Sequence, residues 1–335
     1  MSIERSNLLD GHPAANAWCE QQKSMFVGNP AYGKLLSAVV WTDRAGEGGG
    51  EPIVPVDPGV LTGWINTDGL PLLKVHDPGF PVGRMLAAEL FTSSGGRRFV
   101  AAVLGLYDED TRISFSALGV DANPEARIPE SFPPLADGNW IQFEADSKAV
   151  DATWIDSVLR DAPLPVRRKE SAHYTADPLH ELILIGLPYI VLVWNPFVKS
   201  FATAAGKDAY AGVHRWLQSL WDKLASRRNA IVRLVAHQGK CQVSFIIRSN
   251  DVSINYAAHE ALSIAAAQAA QLLTHIKGGG VAARSLVYEF ELESKKWFPS
   301  YAELEDGRLV SDRNILIAIE QLPSGLSLGI SRGKH

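Results

Sequence analysis

Cysteine is almost absent from this chain: Cys19 and Cys241 are the only two in 335 residues. They lie in different halves and neither stands in a CxxC or Cys/His spacing, so the sequence offers no disulfide framework and no zinc site and fits a reducing compartment. Long apolar runs are also lacking. The best candidate, Leu182 to Trp194, is interrupted by Gly186 and Pro188 and falls short of the roughly 20 residues that a helix needs to cross a bilayer. Neither sign of charge dominates: 32 Lys and Arg stand against 37 Asp and Glu, a net charge of -5. That balance removes any broad attraction to nucleic acid or anionic lipid. The N-terminus has no basic stub followed by an apolar stretch, so it reads without a secretory signal, and the expected location is the cytoplasm. There is no Walker sequence, no Rossmann fingerprint, no HExxH and no GxSxG. His173 and His180 flank a proline-containing segment and are too sparse for a metal site. No cofactor and no metal are expected.

What the chain does have is apolar material for two cores, at 46% hydrophobic residues. From Val60 to Leu118 the pattern is β. Val60 to Ile65, Leu70 to Val75, Val82 to Phe91, Arg98 to Tyr107 and Arg112 to Leu118 are short runs parted by Gly, Asp, Asn and Ser turns. Asp151 to Leu159 reads as a short helix, with Asp151 and Asp156 on a solvated face. Pro163, Pro165 and Arg167-Arg168-Lys169 then mark a linker. Beyond it, Lys207 to Leu224 sets Val213, Trp216, Leu217, Leu220, Trp221 and Leu224 on one helical face, opposite His214, Arg215, Gln218 and Asp222. Strands follow at Ile231 to Ala236 and Gln242 to Arg248. A small-residue helix from Tyr256 to Lys277, with Ser263 outside its apolar stripe, stops at Gly278-Gly279-Gly280. The expectation is an α+β protein: a mainly β domain over residues 1–165, an antiparallel barrel or sandwich; a linker at 166–176; and an α+β domain over 177–335.

One stretch can carry chemistry. Leu70-Pro-Leu-Leu-Lys-Val-His-Asp-Pro-Gly-Phe-Pro-Val-Gly83 puts His76 and Asp77 between two apolar runs, at a strand end beside a Pro78/Gly79 turn, where a sheet can present a reactive side chain. This stretch resembles the histidine-bearing strands of the phage prohead maturation proteases and their herpesvirus assemblin relatives, serine proteases with a small β-barrel. Arg112-Ile-Ser-Phe-Ser-Ala-Leu-Gly-Val-Asp-Ala-Asn-Pro-Glu-Ala-Arg-Ile128 resembles the strand and turn that close the barrel in the phage members. The resemblance implies a barrel in the N-terminal half, His76 as general base and a serine nucleophile between the two segments. Too few residues separate them to hold that nucleophile's helix. Ser114 lies inside the closing segment, and Gly325-Leu-Ser-Leu-Gly-Ile330, with Ser327, carries the nucleophile pattern out of order.

The expected function is therefore a non-catalytic binding or assembly protein built on a degenerate protease-like barrel, with a protein partner or self-assembly and no nucleic acid. The alternative is a serine peptidase, acting on itself or one partner, with His76 as base and Ser114 or Ser327 as nucleophile. A further alternative is an effector that contacts a membrane through residues 182–224.

Overall fold

The structure is a computed structural model. It describes residues 8–44, 54, 56–74, 77–108, 110–129, 131–133, 135, 138–145, 150–170, 181–194, 201–202 and 204–312. The class is mixed α+β. The chain divides into two compact units after Arg112, the second unit taking all described residues from Ile113 to Asp312.

The first unit runs α1 (Pro13–Phe26), β1 (Lys34–Thr42), α2 (Pro58–Asp68), β2 (Leu70–Leu73), β3 (Pro81–Thr92) and β4 (Arg98–Leu106). Its strands form one antiparallel sheet in the order β1-β4-β3-β2. Strand β4 reads Arg98-Phe-Val-Ala-Ala-Val-Leu-Gly-Leu106, nearly continuous in apolar residues, because both of its faces are covered. Phe99, Ala101 and Val103 pack with Ala15 and Cys19 of α1, while Val100, Ala102 and Leu104 pack with Leu61 and Ile65 of α2. Alternation along a strand sends successive side chains to opposite faces, so two helices can each claim half of one strand. Gly83 of β3 stands opposite Leu106 of β4, and a Cβ on it would come within 2.1 Å of the Gly105 carbonyl oxygen.

This sheet is open, with β1 and β2 at its edges, and is not the closed barrel or two-sheet sandwich that the spacing of β-like runs suggests. The reason lies at Val60 to Ile65, which is helical. The carboxylate of Asp57 accepts the Gly59 and Val60 N–H groups at 2.8 and 3.0 Å, and Pro58 opens the first turn. A capped N-terminus with proline in its first turn satisfies the orphan donors and overrides the β-branched residues inside. Arg112 to Leu118 is likewise not a strand. Ile113 makes a single bridge to Val310, and Ser116–Leu118 is one 3-10 turn.

The second unit contains β5 (Ser131–Phe132), β6 (Ile141–Ala145), α3 (Ala152–Leu159), β7 (Val166–Glu170), β8 (Glu181–Gly186), α4 (Tyr189–Val193), β9 (Phe201–Ala202), α5 (Ala204–Leu224), β10 (Ala230–Gln238), β11 (Cys241–Ile247), α6 (Val252–Gly278), β12 (Ala283–Glu291), β13 (Lys296–Leu304) and β14 (Leu309–Val310). Eight strands form a mixed sheet in the order β14-β13-β12-β11-β10-β8-β6-β7, and β5 pairs with β9. One large core joins a single face of this sheet to the helices. Ile183 and Ile185 of β8, Val232 and Leu234 of β10, and Val243 and Phe245 of β11 meet residues of α3, α4, α5 and α6.

Residues 166–176 are not an interdomain linker in their first half. Val166–Glu170 is β7, paired in parallel with β6 from Ile141↔Val166 to Ala145↔Glu170, and residues 171–180 lie outside the described residues. An edge strand tolerates Arg167, Arg168 and Lys169 because its outer side leaves their charges solvated while the inner side keeps the backbone ladder. The division after Arg112 replaces the expected boundary between 165 and 177. Asp151 is exposed, as its reading on a solvated face expects, and it also caps α3 by accepting the Trp154 N–H at 2.7 Å and pairs with Arg227 at 2.8 Å.

Candidate functional site

Of the three candidate residues of the protease-like reading, His76 and Ser327 lie outside the described residues, and so do His173 and His180. Asp77 is described and buried. Its carboxylate accepts the Gly79 N–H at 2.9 Å, so it is tied into the Pro78/Gly79 turn. Ser114 belongs to the second unit. Its Oγ accepts the Ala117 N–H at 2.9 Å and shares a hydrogen bond of 2.9 Å with Ser116 Oγ. This is a side-chain-capped turn that opens the Ser116–Leu118 segment. Ser114→Ala is expected to cost about 1 kcal/mol, the scale of a lost cap, read as a shift of the urea midpoint.

The second unit holds a polar constellation of a different kind, in the layer made by α4, α5 and α6. Trp221 and His214 come from α5, His259 from α6, and the Val191 carbonyl from α4. Trp221 Nε1 lies 3.1 Å from His259 Nδ1, His259 Nε2 lies 2.6 Å from His214 Nδ1, and His214 Nε2 lies 3.0 Å from the Val191 carbonyl oxygen. An indole N–H can only donate and a carbonyl can only accept, so the two ends fix the proton positions in between. His259 carries its proton on Nε2 and donates to His214, which carries its proton on Nε2 and donates to Val191. Every ring nitrogen is used once, and both imidazoles are neutral. The rings are nearly parallel, at 9° with centroids 4.9 Å apart, and the Trp194 ring lies 5.2 Å from His214.

Burial dominates the electrostatics here. His214 and His259 are 4% and 6% exposed. Desolvation, opposed in part by the Val191 carbonyl, holds His214 down to about 4. Desolvation and the neighbouring His214 charge hold His259 down to about 3. Burial likewise pushes the Cys241 thiol up to about 12, which makes it a packing residue and not a nucleophile. The histidine chain has no ring nitrogen left for a substrate or a metal. Among the described residues no group of three or more His, Cys, Asp and Glu is arranged to hold a metal ion. The histidine chain therefore ties α4, α5 and α6 together.

Sequence reading places His214 on the wet side of its helix and Ser263 outside the stripe of α6; both are buried. It passes over His259 and the fully buried Asn255 altogether. A signal was present. Tyr210, His214, Leu217, Trp221 and Leu224 follow one another at steps of three and four, and Asn255, His259, Leu262, Ala266 and Ala269 do the same, so each histidine sits in an apolar stripe.

Of the segment 182–224 that a membrane-contacting effector would use, the apolar side of α5 from Tyr210 to Leu224 belongs to this core. Val213, Leu217 and Trp221 are fully buried, Trp216 is 4% exposed, and Trp216 Nε1 donates to the Val158 carbonyl at 2.8 Å. Among the described residues no helix is long and apolar enough to cross a membrane. Comparison with family models, with curated proteins and with solved structures found no match to this chain.

Proposed function

We propose that the chain is a non-catalytic binding or assembly protein of the cytoplasm, acting through a protein partner or a second copy of itself. The observation that carries this reading is the outer side of α2. Leu61 and Ile65 face the sheet and are buried, whereas Val60 and Trp64, four residues apart, stay 45% and 47% exposed. A helix that is apolar on both sides favours a cover on its outer side, and tryptophan is enriched at the energetic centres of protein interfaces. The use of Ser114 Oγ by its own turn supports the non-catalytic half of the proposal.

Sedimentation velocity of the full chain over a range of concentrations tests the assembly role. Wild type is expected to associate, and Val60→Ser with Trp64→Ser to shift it to monomer without loss of helical signal. Equal association of variant and wild type would remove α2 from the reading. A serine-directed fluorophosphonate probe tests the rest, with no labelling expected. Labelling of wild type that disappears in His76→Ala and in either Ser114→Ala or Ser327→Ala would make the protein a serine peptidase.

A further inference from the structure

The basic triplet at 167–169 has no part in the core or in the α2 surface, and its position in the fold is specific. Strand β7 closes the order of the eight-stranded sheet, so one side of its backbone pairs with β6 and the other side has no strand beside it among the described residues. Its sequence is Val166-Arg-Arg-Lys-Glu170. Alternation puts Arg167 and Lys169 on one face of the sheet and Arg168 on the other, where Val166 joins the apolar core. The Arg167 guanidinium lies 3.4 Å from the centroid of the Trp140 ring, itself 39% exposed, which holds a planar cation beside the strand edge. Arg168 meets Asp156 at 3.5 Å with both side chains exposed, whereas Lys169, itself exposed, meets at 3.4 Å a Glu144 whose side chain is only 12% exposed. An exposed pair such as Arg168–Asp156 exchanges readily with other carboxylates.

We infer that the β7 edge takes an acidic, extended segment of a partner protein as an added strand. The inference rests on the binding role proposed above and names the chemistry of the partner. Two features select this occupant. The edge offers backbone N–H and C=O groups that only another peptide backbone can pair in a ladder, and the flanking cations give opposite-charge neighbours across the new pair of strands. A second copy of β7 would bring like charges together, which opposes edge-to-edge self-pairing. A nucleic acid strand could meet the cations but not the backbone ladder.

The test uses the full chain and a fluorescein-labelled peptide of alternating glutamate and valine, followed by anisotropy. Binding is expected to weaken at least ten-fold in Arg167→Glu with Lys169→Glu. It is expected to weaken as salt rises, and to vanish for a peptide with lysine in place of glutamate or with proline at alternate positions. Amide exchange should slow at 166–170 on binding. Arg167→Gln with Lys169→Gln repeats the measurement with milder changes, and far-UV circular dichroism reports whether each variant is folded. No binding to the acidic peptide, or equal binding to folded variants, overturns the inference. So does a thymidine oligonucleotide that binds more tightly than the peptide, which would make the edge a nucleic-acid contact. A chain that assembles through α2 but ignores the acidic peptide loses this inference and keeps the binding role.

Discussion

Trp221→Ala is expected to lower the stability of the second unit by roughly 3–5 kcal/mol, the range for emptying a buried aromatic site. Trp221 is fully buried, and its indole N–H ends the histidine chain at His259. Truncation therefore opens a cavity and also leaves a buried imidazole nitrogen without its donor. Trp221→Phe separates the two contributions, because it keeps most of the ring burial and removes only the donor. Its expected cost is about 1–3 kcal/mol, that of an unsatisfied buried acceptor. Trp64→Ala provides the contrast: an exposed side chain should change stability by no more than about 0.5 kcal/mol. Urea denaturation followed by far-UV circular dichroism measures all three. A wild-type midpoint for Trp221→Ala would contradict the packing of α5 described above.

Acid should destabilise the second unit well before its carboxylates titrate. Both histidines are held below their ordinary value of 6.5, to about 4 for His214 and about 3 for His259. In the unfolded chain they take up protons near 6.5, whereas in the folded chain they do so only at those lower values. The unfolded state thus binds more protons throughout the interval, so the stability that they contribute is complete above about 6.5 and drains away as the pH falls toward 4. The slope is at most about 1.4 kcal/mol per pH unit for each histidine. Asp151 and Asp251 are held below the ordinary carboxylate value of 3.8, Asp151 mainly by the Trp154 N–H and Asp251 mainly by Ser253. Their contribution is lost as the pH falls below that value, overlapping only the lower end of the His259 range. Urea midpoints at pH 7, 6 and 5 check the sign. His259→Gln should lower stability at pH 7 and flatten the dependence between 7 and 5; an unchanged slope in that variant would place the proton uptake elsewhere.

These two effects involve residues whose helices were legible and whose roles were not. Spacing of apolar residues marked α5 and α6, because burying one face of a helix imposes a 3.6-residue period. It did not mark the histidine pair, because His214 and His259 lie 45 positions apart in sequence and pair only when α5 packs against α6. The polarity of histidine biased its placement toward solvent. A buried imidazole is acceptable only when both nitrogens are satisfied, and that is a property of the partners and not of the residue. In the first unit the error ran the other way. Val60 to Ile65 has β-branched content, yet the Asp57-Pro58 cap decides for a helix.

The sequence alone determined the mixed α+β class, the helices α3, α5 and α6, and the strands β2, β3, β4, β10 and β11, since each of these follows from local periodicity, caps and glycine stops. Tertiary structure decided what those elements build. It placed the division after Arg112 instead of at the Pro- and Arg-rich segment, because parallel pairing with β6 turns that segment into a sheet edge. It left the first sheet open, because two helices cover both faces of β4. It joined His214 to His259, because hydrogen bonds between distant residues depend on how faces meet, and a one-dimensional pattern records only that a face exists.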